Sequence, residues 1–404
     1  MLPASDSPEA SAAAGARPSP PVGAAPSEHR AFLARRYFPA LDGLRGLAIC
    51  AVLWHHALPR AVEGWLGRGH VGVRLFFALS GFLISTRLCA ERRVTGEVAL
   101  GQFWLRRALR IFPLYYAVLA LFALYLGLRP GDAGSRHFFA NLAFHATYTS
   151  NWFVDYAVAH PVWFAFGWSL ATEEQFYAWW PALLRSSPRG RAALLALVGV
   201  LLVQQLASYG ALGAWLASHA VLERVLLSLA PALSLGALLA LLLERPAGFR
   251  SVWALFGRWP ALAAGLVVLG LALLLASGAG APLLLDLGFA ALVACAVLAP
   301  GSWLGRLLSA RPLSEIGRVS YGIYLFHVPV LGLLRRGVPW LGEQPLPLFL
   351  LALGISGAVA ALSYRYFEAP LLARAPRRFS LAADRSGPGP VLAWSPTDSR
   401  RLGT

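Results

Sequence analysis

Apolar runs of roughly 17 to 25 residues recur along almost the whole chain, each long enough to cross a bilayer. The 404 residues are 57% hydrophobic and only 13% charged, where a soluble domain carries about 25% charged residues. Little is left over for a separate soluble domain. The fold class expected is all-α: a polytopic integral membrane helical bundle of about ten transmembrane helices. The runs place spans at 44–60, 71–89, 111–128, 163–184, 192–209, 224–243, 260–277, 283–300, 319–334 and 346–367. Residues 138–155 are amphipathic and read as an interfacial or re-entrant segment. Residues 1–34 and 373–404, rich in Ala, Pro, Ser and Gly, read as disordered tails flanking a membrane domain over 35–372. No compact apolar core marks a signal peptide near the N-terminus.

Charge placement orients the bundle. The formal charge is +16, and all 35 basic residues are arginine. On a ten-span count, Arg35 and Arg36, the group from Arg87 to Arg110, and the clusters after spans four, six, eight and ten share one side. Arg60 and Arg68, Arg129 and Arg136, and Arg335 and Arg336 form weaker clusters on the other. The positive-inside rule then puts both termini in the cytoplasm, with the chain in the cytoplasmic membrane. An eleventh span at 138–155 would invert the later loops and spoil this bias. Arginines confined to short loops point to anionic lipid and a polyanionic cofactor rather than nucleic acid. Cys50, Cys89 and Cys295 lie far apart with no CxxC or metal-ligand spacing, so they read as packing residues, and no metal is expected.

Within the first span, Arg45 and His56 are eleven residues apart. Three turns plus about 20° bring them onto one helix face, roughly 16 Å apart along the axis. Ionisable groups inside a bilayer are costly and usually functional. In the fourth span Trp168, Ser169, Glu173 and Tyr177 follow a four-residue spacing. Glu173 lies about 15 Å from the outer side and His56 about 18 Å from the inner side. Matched depth lets the carboxylate orient the imidazole for acid–base work. Glu174, about 100° round the helix, is an alternative partner, and His55, about 80° off the Arg45 direction, is the alternative imidazole. The plainer reading is that His56 bridges two helices by a hydrogen bond.

The second loop and third span carry Phe103-Trp104-Leu105-Arg106-Arg107-Ala108-Leu109-Arg110. Arg106, Arg107 and Arg110 make a basic face whose guanidinium groups match phosphate, with plain snorkelling as the competing reading. Ser80 and Gly81 read as a close-packing site, and Arg74 as a snorkelling side chain. No G-x-S-x-G supports a nucleophilic Ser80. In span nine Tyr324 and His327 share a face, fit either for acceptor binding or for structural bonding.

Six motifs occur in order: Leu41-Asp42-Gly43-Leu44-Arg45-Gly46 running on to His56; Phe76 to Ile84; Arg106-Arg107-Ala108-Leu109-Arg110-Ile111-Phe112-Pro113; Trp168-Ser169-Leu170 through Glu173 to Tyr177; Ser320 to His327; and Ser363-Tyr364-Arg365-Tyr366-Phe367-Glu368-Ala369-Pro370. Over about 36–372 the chain resembles the acyltransferase-3 family of membrane acyltransferases. The resemblance implies transfer of an acyl group, often acetyl, from acyl-CoA (acetyl-CoA) to a hydroxyl of a carbohydrate, glycolipid or secondary metabolite. It implies catalytic roles for His56, Glu173 and Arg45. It departs at Phe166-Gly167, where many members have His-Thr. No hydrolase-like domain follows the last span, so direct transfer or a separate partner is expected.

The assignment expected is therefore a membrane-bound O-acyltransferase. Arg45, Arg106, Arg107 and Arg110 would hold the coenzyme phosphates; His56, oriented by Glu173, would act as base or transient acyl carrier. Trp168, Ser169, Tyr177, Tyr324 and His327 would line the acceptor site. The competing class is a transporter of acyl groups or small polar solutes, since buried ionisable residues also line transport paths. Transporters often show inverted repeats, and none is visible.

Overall fold

A computed structural model describes residues 25–58, 70–187, 190–216, 218–276 and 281–373. Among the described residues the regular elements are all helical. In chain order they are α1 (Ala25–Ala34), α2 (Pro39–Ala57), α3 (His70–Thr95), α4 (Leu100–Gly127), α5 (Ala133–Ala140), α6 (Leu142–Ala146), α7 (Ser150–Phe153), α8 (Gly167–Ser186), α9 (Arg191–Ser208) and α10 (Gly213–Leu216). The second half continues with α11 (Ala220–Ser228), α12 (Pro231–Glu244), α13 (Pro246–Val252), α14 (Pro260–Ala276), α15 (Ala281–Leu298), α16 (Trp303–Leu308), α17 (Arg311–Arg318), α18 (Ser320–Gly337), α19 (Pro345–Ser363) and α20 (Ala369–Ala373). Single π-turns follow α13 and α19.

Four described helical stretches are long and apolar enough to cross a bilayer alone: Val71–Thr95, Leu100–Gly127, Arg191–Ser208 and Pro345–Ala373. Counting each sharply bent helix pair as one span raises the number to at most eight. Among the described residues, length and composition alone do not bring the count to ten. Part of the shortfall is composition: α8 has 20 residues, but Thr172, Glu173, Glu174 and Gln175 interrupt its apolar run. Part is length: α15 is a shorter apolar helix over Pro282–Leu298.

Part of the stretch read as an N-terminal tail is helical. Residues 25–34 form α1, which packs on the bundle: His29 is buried and its Nε2 donates to the Leu243 carbonyl at 3.0 Å. Residues 1–24 and 374–404, with Arg60 and Arg68, lie outside the described residues.

Small residues set the closest contacts. A Cβ on Gly81 would run into the Leu233 carbonyl, and one on Gly236 into that of Ala78. This is the close α3–α12 approach that small residues permit between apolar helices. One polar contact crosses this core region. Arg74, expected to snorkel, instead forks onto Asp286 of α15 at 2.7 and 2.8 Å and also donates to the Pro282 carbonyl. Asp286 is fully buried, and a buried carboxylate needs such a partner.

The segment between α4 and α8 folds back into the bundle. Asp132 caps α5 by accepting from the Ser135 N–H at 3.0 Å, and that bond holds its carboxyl below the usual range. Helices α6 and α7 then reach the middle of α4. Tyr115 donates to the His145 carbonyl at 2.7 Å and Tyr116 to that of Ala146 at 2.8 Å. Irregular backbone at such depth is tolerated where side chains satisfy it or where it lines a cavity. Residues 138–155 thus pack against α4, with two of their carbonyls satisfied by tyrosines of that helix.

Candidate functional site

Helices α2, α3, α4, α8 and α18 bring their polar residues into one column. Helix α2 starts cleanly: Pro39 stands at its first position and Asp42 in its first turn, where each favours a helix N-terminus. The Tyr37 hydroxyl donates to Asp42 at 2.7 Å and fixes that end.

At the lower end of the column the arginines gather. Arg45 lies within electrostatic reach of Glu173 and of Arg110. Arg107 sits over the Tyr177 ring at 5.3 Å and the Phe103 ring at 5.8 Å. Arg110 faces Arg45, Arg107, Glu368 and Tyr364. Arg87 of α3 joins the same group, within reach of Arg107, Arg110, Arg45 and Arg106. Arg106 behaves differently: its guanidinium pairs with Glu91 at 3.3 Å, and Glu91 is buried on α3. Arg106 also lies within electrostatic reach of Arg87, so its ion pair with Glu91 adjoins the arginine group. Arg87 and Glu368 belong to the cluster and were missed. Both sit near helix ends, where ordinary snorkelling gave them no distinguishing pattern.

Above the arginines stands Glu173. Its two oxygens accept from Ser80 at 2.7 Å and from Tyr177 at 3.2 Å. One turn further along α8, the Ser169 and Tyr324 hydroxyls lie 2.6 Å apart, and both lie within 3.1 Å of the Phe166 carbonyl, so one donates to the other and the other to the carbonyl. Trp168 lies edge-on to Phe77 of α3 instead.

Beyond Tyr324 come the imidazoles. The His56 and His327 rings are 4.8 Å apart, nearly perpendicular, and Phe166 stands against His327 at 5.6 Å. His56 Nδ1 lies 2.9 Å from the Val52 carbonyl, and His327 Nδ1 is 2.5 Å from that of Tyr324. A carbonyl only accepts, so each Nδ1 carries the proton and each Nε2 keeps its lone pair. His327 is fully buried and its Nε2 has no hydrogen-bond partner. Arg335 caps the end of α2, donating to the carbonyls of His56, Ala57 and Leu58 at 2.8, 3.2 and 3.3 Å.

The expected His56–Glu173 pair is not formed. Ser169 to Glu173 is four residues toward the arginines, and Tyr324 to His327 is three residues the other way. With Ser169 and Tyr324 in contact, the two groups stand roughly 10 Å apart along the bundle. Depths counted from span ends were wrong by about two turns. His56 is oriented by the Val52 carbonyl and the His327 ring, and Glu173 by Ser80 and Tyr177. Ser80, read as a packing residue, is a polar member of the site. Among the described residues no cluster of ligating side chains fits a metal ion.

The family described as an acyltransferase domain matches residues 38–365, most of the chain. This chain belongs to the acyltransferase-3 family. YrhL of Bacillus subtilis is 30% identical to it over 365 residues, covering 85% of this chain and 56% of that protein. The O-acetyltransferase OatA of Staphylococcus aureus is 26% identical over 389 residues, 87% of this chain and 60% of its own length. The peptidoglycan O-acetyltransferase OatA of Listeria monocytogenes is 28% identical over 373 residues, with 83% and 56% covered. The chain thus spans between 56% and 60% of the length of these relatives. No solved structure matches it. Membership in a family of acyltransferases does not favour the transporter reading.

Proposed function

We propose that this protein is a membrane-bound O-acetyltransferase that takes its acyl group from acyl-CoA on the cytoplasmic side and passes it to a carbohydrate hydroxyl. The observation that carries the reading is the column itself: clustered arginines at one end and two imidazoles with free lone pairs at the other. Repulsion among Arg45, Arg87, Arg107 and Arg110 is relieved when a polyanion binds, and coenzyme A offers phosphates that match guanidinium geometry. Arg45 to His56 spans roughly 16 Å, a suitable reach for an extended coenzyme arm. The names of the relatives point to peptidoglycan as the acceptor. Ten spans, with both termini in the cytoplasm, remain the topology we propose, with the bent pairs counted as spans and α8 and α15 among them.

In this reading His56 Nε2 takes the proton of the acceptor hydroxyl as its oxygen attacks the acyl carbonyl. The new C–O bond forms, the C–S bond breaks, and the coenzyme thiolate leaves and recovers a proton. The Val52 carbonyl and Arg335 hold the ring and its helix end in place. Glu173 acts by position, setting Ser80 and Tyr177 and balancing Arg45 and Arg107. Tyr324, Ser169 and His327 line the approach of the acceptor.

The test is acetyl transfer in proteoliposomes holding the full chain, given labelled acetyl-CoA outside and soluble muropeptides as acceptor. The wild type is expected to make acetylated muropeptide with release of free thiol, and His56→Ala is not. Full activity in His56→Ala would remove the imidazole from the mechanism.

A further inference from the structure

The segment between α4 and α8 carries a residue that the scheme above leaves unused. Tyr148 has φ +54°, a conformation that costs a non-glycine residue energy and persists where surroundings enforce it. They do so here. Gln175 of α8 donates to the Tyr148 carbonyl at 2.8 Å and exchanges hydrogen bonds with Asn151 at 2.9 and 3.0 Å. The Tyr148 ring is stacked on Tyr115, centroids 4.3 Å apart, and on Phe112 at 5.5 Å. The side chain is thereby fixed near the middle of α4. Tyr148 is 7% exposed, and its hydroxyl has no hydrogen-bond partner among the described residues. A buried O–H left unpaired is costly.

Its surroundings narrow what could pair with it. Tyr115, Tyr116, Tyr321 and Glu174 lie within electrostatic reach of the Tyr148 phenol. Three of these hydroxyls are committed to backbone carbonyls: Tyr115 to His145, Tyr116 to Ala146 and Tyr321 to Ile111 at 2.8 Å. Glu174 is half-buried. It makes no hydrogen bond or ion pair among the described residues. One uncommitted donor is therefore within electrostatic reach of one uncommitted acceptor, whose chain neighbour Gln175 holds the Tyr148 carbonyl. Their level is set by Tyr321, six residues or about 9 Å short of His327 along α18, and Tyr321 is within reach of Arg110. The pair stands between the arginine cluster and the imidazoles.

Resting on the acyl-CoA reading, we propose that Tyr148 and Glu174 form the binding site for a secondary amide in the donor's pantetheine arm. The phenol donates to the amide carbonyl and the carboxylate accepts from the amide N–H. Only a group that both accepts and donates satisfies the two residues together, and the position is the one an arm must pass between phosphate and thioester.

The test uses the full chain in lipid nanodiscs and compares wild type with Tyr148→Phe. Three probes are titrated calorimetrically: coenzyme A, adenosine 3′,5′-bisphosphate and N-acetylglucosamine. The bisphosphate has the phosphates without the arm, and the sugar carries an amide of acceptor type. Tyr148→Phe is expected to weaken coenzyme A by about 3- to 10-fold, the range for one lost hydrogen bond, while the bisphosphate binds as before. Thermal stability without ligand is expected to hold or rise, because the deleted hydroxyl bonds to nothing. An equal loss for coenzyme A and the bisphosphate, or no loss for either, overturns the proposal. So does a loss confined to N-acetylglucosamine, which would assign the site to the acceptor. If the wild type binds neither coenzyme A nor the bisphosphate, the acyl-CoA reading itself fails. That result is distinct, because it appears before any substitution is made.

Discussion

The two ends of the polar column are built on opposite plans. At the imidazole end the His56 and His327 rings are each tied to a backbone carbonyl, and the helix end beneath His56 is capped by Arg335. At the arginine end Arg45, Arg87, Arg107 and Arg110 face one another with Glu173, Glu174 and Glu368 as the nearest opposite charges. The first arrangement fixes geometry before anything binds. The second stores like charge and waits for an anion. A rate-determining group must be held in place, whereas a docking group for a charged ligand needs uncompensated charge. The ends should therefore separate in kinetics: one governs rate, the other donor affinity.

The largest effect that could break this division is His56→Ala. Removing a general base costs typically 10²- to 10⁴-fold in rate, and acetyl transfer is expected to fall by that order while the dissociation constant for coenzyme A stays within about 3-fold. Equal collapse of rate and affinity would mean that His56 holds the donor, and the contrast between the ends would fail. Next comes the arginine end. Arg107→Gln and Arg110→Gln are each expected to weaken coenzyme A by roughly 10- to 100-fold, since a hydrogen bond to a charged group is worth about 1.5–3 kcal/mol. The turnover rate at saturating donor is expected to change little, and added salt should narrow the difference between variant and wild type. Arg106→Gln serves as the contrast: with its guanidinium on Glu91, it should cost less affinity than either neighbour.

These expectations depend on side-chain directions that sequence spacing resolved unevenly. The phase of Arg45 and His56 was readable because both lie on one helix, where 100° per residue is reliable. The same regularity placed Tyr324 beside His327 and Tyr177 beside Glu173. Relations between helices were not readable. The depth match of His56 and Glu173 required knowing where each helix enters the membrane, and an error of two turns moved the carboxylate from the imidazole to Ser80. The partner of Arg74 was unreadable for the same reason: Asp286 lies 212 residues away in sequence. The all-helical class was plain from apolar run lengths. The number of spans was not, because composition does not show where a helix bends, as between α17 and α18.

Arg335→Gln tests whether the imidazole end owes its order to the cap. Losing three donations to the end of α2 should let His56 wander without touching the donor. A fall of about 3- to 10-fold in acetyl transfer is expected, with coenzyme A affinity unchanged, the scale of one net hydrogen bond. Arg335→Lys, which keeps the charge and can still reach one carbonyl, should recover part of the rate. An affinity loss exceeding the rate loss would place Arg335 on the donor side instead.

The smallest expected effect decides to which end Glu173 belongs. Ser80→Ala removes one of its two hydrogen bonds and is expected to cost about 0.5–1.5 kcal/mol. If Glu173 serves the arginines, that cost falls on coenzyme A affinity, because a looser carboxylate neutralises Arg45 and Arg107 differently. If it serves the imidazoles, the cost falls on rate. The geometry favours the first outcome, since Glu173 stands about 10 Å from the His56–His327 pair along the bundle and within reach of both arginines. Combining Ser80→Ala with Tyr177→Phe closes a double-mutant cycle around the same carboxylate. A coupling of 0.5 kcal/mol or more, the range for residues sharing a network, is expected in donor binding and absent from the rate. Coupling confined to the rate would move Glu173 to the imidazole end, restoring by an indirect route the partnership that its depth in the sequence suggested.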